Sequence, residues 1–121
     1  MAKVLIVDDE APIVDLLADI VEDHGHTALR AADGVAALEL ARAARPDLII
    51  ADVMMPLLDG YSMLRALRSE PDLAQTTVVL VSAAFPRVGQ PTVTPPADVY
   101  LRKPFDIAAI EGLLDRLALQ P

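Results

Sequence analysis

The chain has 121 residues and no cysteine, which excludes a disulfide framework and a thiolate zinc site alike. No apolar run approaches the roughly 18 residues that a membrane-spanning helix needs. The first apolar run is broken by three acids, Asp8, Asp9 and Glu10, a pattern that excludes a secretory leader. Basic residues are scarce, ten Lys and Arg against 18 Asp and Glu, for a net charge of −8. That balance argues against nucleic-acid binding by this domain, which would concentrate Lys and Arg on one face. Internal repeats, low-complexity tracts and a dividing linker are missing too. Residues 1–121 therefore read as one domain, long enough to bury a core unaided, in a soluble protein expected in the cytoplasm.

What is present is four short apolar runs, each ending on a polar residue. Lys3-Val-Leu-Ile-Val7 runs into Asp8-Asp9-Glu10, and Asp47-Leu-Ile-Ile-Ala51 into Asp52. Thr77-Val-Val-Leu-Val81 runs into Ser82, and Val99-Tyr-Leu101 into Arg102-Lys103-Pro104. The runs at 3–8, 47–52 and 77–82 are almost continuously apolar, the signature of parallel strands covered on both faces. A weaker strand is expected at Thr27-Ala-Leu-Arg30.

Helical spacing fills the intervals. Ile13, Leu16, Leu17, Ile20 and Val21 mark one face of a helix, with Pro12 in its first turn and Gly25 at its stop. His24 and His26 flank that stop and are expected at the surface. A second helix is predicted over Gly34–Ala44. Asp59 can cap a third, with Met63, Leu64 and Leu67 inward, and Asp106 can cap the last, where Ile107, Ile110, Leu113, Leu114 and Leu117 repeat. Strand and helix alternating in this way predict a doubly wound α/β sheet. One interval breaks the pattern: Gly89, Pro91, Pro95 and Pro96 should leave residues 86–96 without a regular helix between the fourth and fifth strands.

If the four runs are parallel neighbours, three carboxylates, a hydroxyl and an ammonium line one edge of one sheet. Open α/β sheets place their ligand chemistry at that edge. Two carboxylates at about 4 Å repel by roughly 4 kcal/mol at an effective dielectric near 20. A hard divalent cation relieves that repulsion, and a carboxylate beside it can take a phosphoryl group.

Four motifs in this order resemble a bacterial two-component receiver domain over nearly the whole chain: Val7-Asp8-Asp9-Glu10, Asp52-Val-Met-Met-Pro56 with Asp59-Gly60, Ser82-Ala83, and Tyr100-Leu-Arg-Lys103-Pro104-Phe105. The chain is similar to the chemotaxis-type single-domain regulators. The resemblance implies a flavodoxin-like five-stranded sheet of order 2-1-3-4-5, with strands about 4.8 Å apart. It implies Asp52 as phosphoacceptor and Mg²⁺ as cofactor. Asp9 would bind the metal directly, Asp8 through water, and Met54 through its backbone carbonyl, with Asp52 completing the set. Ser82 and Lys103 would each hold a phosphoryl oxygen, Tyr100 would be a switch residue, and the Lys103–Pro104 bond would be cis. The phosphoryl donor would be a histidine kinase or phosphotransfer protein, and the domain itself no enzyme beyond self-phosphorylation and autodephosphorylation. Ala84, where the family often carries a polar residue, removes one influence on hydrolysis.

Taken singly these residues say less. Asp8 and Asp9 could cap a helix, Ser82 could belong to a turn, Lys103 could be a solvated charge and Tyr100 strand filling. Two other readings stay open: a phosphorylation-independent interaction module on the same scaffold, and an aspartate-nucleophile phosphatase. The second wants a different arrangement after the first strand than Glu10-Ala11-Pro12.

Overall fold

The computed structural model describes residues 2–55, 57–83 and 97–118. The expectation of an irregular segment at 86–96, and Ala84, fall outside those residues. The described chain alternates β1 (Lys3–Val7), α1 (Ala11–Asp23), β2 (Thr27–Ala31), α2 (Gly34–Ala44), β3 (Leu48–Asp52), α3 (Gly60–Ser69), β4 (Thr77–Ser82), β5 (Val99–Arg102) and α4 (Ile107–Ala118). All five strands are parallel, in the order β2-β1-β3-β4-β5. The doubly wound sheet that the alternating runs predict is observed, in the flavodoxin-like order that the resemblance implies.

The two-residue period of a strand divides each run between two core layers. Leu5, Val7, Ile49, Ala51, Val78 and Leu80 face α2 and α3, where Ala37, Ala41, Met63, Leu64 and Leu67 cover them. Val4, Ile6, Leu48, Ile50, Val79 and Val81 face α1 and α4, against Val14, Leu17, Ala18, Val21, Ile110 and Leu114. Burying a side chain of this size contributes about 1.5–3 kcal/mol. Covering both faces lets the central strands remain apolar throughout.

Helix ends follow their capping chemistry. Asp33 accepts the Ala36 N–H and Asp59 the Ser62 N–H, each at 2.8 Å. Asp106 accepts the Ala108 N–H at 2.9 Å. Each such cap is worth about 1 kcal/mol. Gly60 is required by proximity, since a Cβ there would lie 2.8 Å from the Asp52 carbonyl oxygen and 2.9 Å from Val53 Cα. The start of α3 is thereby seated directly against the end of β3.

Two expectations need correction. The buried face of α1 is Val14, Leu17, Ala18 and Val21, while Leu16 is 40% exposed. The helix is rotated so that small Ala18 lets it lie close to the sheet. His26 is not a surface residue: it is 7% exposed, its Nδ1 accepts the Ala2 N–H at 3.1 Å, and its Nε2 lies 3.2 Å from the Leu114 carbonyl. This pairing makes Nε2 the protonated nitrogen and ties β1 to α4. His24 bridges α1 to α4 as well, with ring nitrogens 3.1 Å from Glu111 and 3.2 Å from Asp115.

Candidate functional site at the carboxyl edge of the sheet

Parallel strands in register end side by side, which brings the polar residues after each run together. Asp8 follows β1, Asp52 closes β3, Ser82 closes β4, and Lys103 follows β5. Backbone hydrogen bonds hold these ends in place: Val53 N–H donates to the Val81 carbonyl and Lys103 N–H to the Ser82 carbonyl, both at 2.9 Å. The Lys103–Pro104 peptide bond is cis.

Lys103 is the centre of the cluster. Its Nζ lies 3.3 Å from Asp8 Oδ2, 3.3 Å from Asp52 Oδ2 and 3.9 Å from Glu10 Oε1. Asp8 and Asp52 are only 4% and 6% exposed, so both carboxylates are largely out of water. Asp8 Oδ1 accepts the Glu10 N–H at 2.9 Å, and Asp52 Oδ1 the Met54 N–H at 3.4 Å. Ser82 is also buried.

Burial pushes the Asp8 carboxyl above its usual value, and the Glu10 N–H and the Lys103 ammonium offset it only in part. Burial works against the charged Lys103, yet Asp8 and Asp52 outweigh it and hold that ammonium above the usual lysine value. Lys103 is therefore a firmly charged counterion between two carboxylates.

Asp9 and Glu10 complete the acidic side. Oxygens of Asp8, Asp9 and Glu10 lie within 4.8 Å of one another, with Asp9 and Glu10 exposed. The carboxylate oxygens of Asp8 and Asp9, with open positions for water, suit a hard cation such as Mg²⁺. Four carboxylates around one ammonium leave the edge negative, which favours a further cation.

The structure thus brings Asp8, Asp52 and Lys103 into direct contact and sets Asp9 beside them. The Met54 side chain is 74% exposed, in the loop after β3. Tyr100 lies on the face of β5 opposite Val99 and Leu101, 40% exposed, its hydroxyl accepting the Ala97 N–H at 3.0 Å. Glu10, which the sequence offers only as part of the acidic motif, also stands near Lys103. That nearness comes from a contact 93 positions away in the chain that no local pattern shows.

Fold and site together define an open α/β domain of the receiver type. The chain belongs to the response regulator receiver domain family, whose model matches residues 4–115. It is 39% identical over 117 residues to the response regulator MprA of Mycobacterium ulcerans, across 95% of this chain and 48% of that protein. The chain spans about half the length of the curated relatives it matches. Among solved structures, the chemotaxis response regulator CheY4 of Vibrio cholerae superposes with a TM-score of 0.83 at 32% identity, over 97% of this chain and 98% of that one. A sensor histidine kinase receiver domain from Pseudomonas aeruginosa PAO1 does so with a TM-score of 0.84 at 26% identity, over 95% of each chain. That domain has a magnesium ion coordinated in its active site cleft. The chain is thus a receiver domain of two-component signalling, and among its described residues no helix is long and apolar enough to cross a membrane.

Proposed function

We propose that this domain is a Mg²⁺-dependent phosphoacceptor that takes a phosphoryl group onto Asp52 from a histidine kinase or phosphotransfer protein. The observation that carries the reading is the shared ammonium: Lys103 Nζ stands 3.3 Å from both Asp8 and Asp52 at the end of a wholly buried strand. A carboxylate oxygen of Asp52 attacks the phosphorus of a phosphohistidine. The P–O bond forms as the P–N bond breaks, and the departing imidazole nitrogen keeps the electron pair and takes a proton from solvent. Such transfers depend on positioning and charge neutralisation more than on a general base.

Asp8, Asp9, Asp52 and the Met54 carbonyl would hold Mg²⁺, which when bound neutralises charge on the phosphoryl oxygens. In the phosphorylated domain Lys103 would bond a phosphoryl oxygen in place of its metal-free partners, and the Ser82 hydroxyl would bond another. That exchange would pull on the end of β5, where Tyr100 acts as switch residue and alters partner binding. A complete acidic row with its ammonium opposes the rival reading of a scaffold that binds without phosphorylation.

Incubation with acetyl phosphate and Mg²⁺ should add one phosphoryl mass per chain by intact mass spectrometry, and Asp52→Asn should abolish it. Modification that persists in the Asn variant would overturn the assignment.

A further inference from the structure

Lys103 already occupies the space between Asp8 and Asp52 where a divalent cation would draw on the same oxygens. An ammonium and a dication sharing two buried carboxylates repel each other strongly, even on different oxygens. Metal binding is therefore favoured by a second partner for Lys103, and Glu10 offers one. Glu10 Oε1 is 3.9 Å from Lys103 Nζ, next in distance after the two resting partners.

Three further observations favour this destination. Glu10 occupies the N-cap position of α1, yet its side chain makes no capping hydrogen bond there. Its carboxylate is free of that duty. The side chain is 65% exposed, so an ammonium meeting it is far less desolvated than one held by Asp8. Glu10 and Lys103 also border one open groove of about 470 Å³, shared with Ile13 and Phe105. The flexible lysine stem can swing there without displacing packed groups.

We propose that Glu10 is a positioning residue that receives the Lys103 ammonium when a divalent cation enters the acidic cluster. This rests on the Mg²⁺-binding reading above and adds to it a path for the resident counterion. Glu10 acts through Lys103, not as a metal ligand. The resting bridge from Lys103 to Asp8 and Asp52 is then a competitor of the metal, and Glu10 lowers the cost of breaking it.

The test is a double-mutant cycle read by Mg²⁺ titration calorimetry on the full chain, with circular dichroism to establish folding. Ionic strength is held at about 0.15 M, where the Debye length is about 8 Å, to suppress general charge effects. Glu10→Gln should weaken Mg²⁺ binding roughly two- to fivefold, the scale of an exposed ion pair. Lys103→Met should tighten it by removing the competitor. In the Lys103→Met background most of the Glu10→Gln loss should disappear. An equal loss in both backgrounds would show Glu10 acting on the metal directly and overturn the proposal. No Mg²⁺ binding by the parent chain would overturn the underlying reading and the proposal with it.

Discussion

β3 and β5 each deliver a charged side chain to the same cluster, and they are built in opposite ways. Every residue of β3 from Leu48 to Asp52 is buried, and the strand pairs with β1 on one side and β4 on the other. Among the described residues β5 pairs with β4 alone, and its residues alternate between half-buried and exposed. One site is thus assembled from the best-anchored strand and from an edge. A nucleophile gains from a fixed position, since small displacements of a reacting atom are costly. A group that must change partners gains from an edge that opens locally at low cost. Beyond β5 the chain is tied down again, because His24 and His26 bind α4 to the first third of the sequence.

The widest separation between the two strands should appear in truncations. Ile50→Ala removes a 1% exposed side chain from the core against α1 and α4. Its expected cost is about 2–5 kcal/mol in denaturant unfolding. Leu101→Ala, on a half-buried edge position, should cost about 1 kcal/mol. Equal costs would erase the distinction between the strands.

A smaller effect concerns charge on the buried side. Asp8 holds its proton more tightly folded than unfolded, because burial outweighs its partners. Stability contributed by such a group falls as pH rises from 3.8 through the folded pKa, and the penalty is complete above it. Asp8→Asn should therefore make the metal-free protein more resistant to urea at pH 7, with the gain shrinking as pH is lowered through the carboxylate range. A destabilised Asn variant at pH 7 would show that the Lys103 contact outweighs desolvation.

The smallest effect is expected where the edge is re-anchored. The Glu111 and Asp115 carboxylates raise the His24 imidazole above 6.5 against a lesser pull from burial. Its stabilisation is fully present below 6.5 and is lost as pH rises through the folded pKa. His24→Gln should flatten this part of the stability profile and leave the pH 8 value nearly unchanged. A parent profile without that slope would remove His24 from the account.

The same contrast explains what could be read in advance. β1, β3 and β4 were legible because double burial leaves an uninterrupted apolar run, and α2 because its bounds are marked locally from Gly34 to Ala44. Asp8, Asp9, Asp52, Ser82 and Lys103 are legible as candidates because each ends an apolar run or directly follows one, and the contacts join Asp8, Asp52 and Lys103. The rotation of α1 was not legible, since Ala18 carries little hydrophobic signal and Leu16 carries much, while close approach to the sheet selects the smaller residue. The burial of His26 is not legible, because its partners, the Ala2 N–H and the Leu114 carbonyl, are distant in sequence. The resting partners of Lys103 were illegible for a related reason. Strand order places an ammonium near acids, but which carboxylates it meets depends on side-chain packing across β1, β3 and β5.

The central claim is that the phosphoryl group is received on a strand that stays fixed and is registered by one that does not. Amide hydrogen exchange, followed with and without acetyl phosphate and Mg²⁺, tests it directly. Phosphorylation should alter exchange at Val99–Arg102 and Lys103 while leaving Ile49–Ala51 unchanged. Comparable changes in both strands, or none in β5 of a chain shown by mass to be phosphorylated, would contradict it.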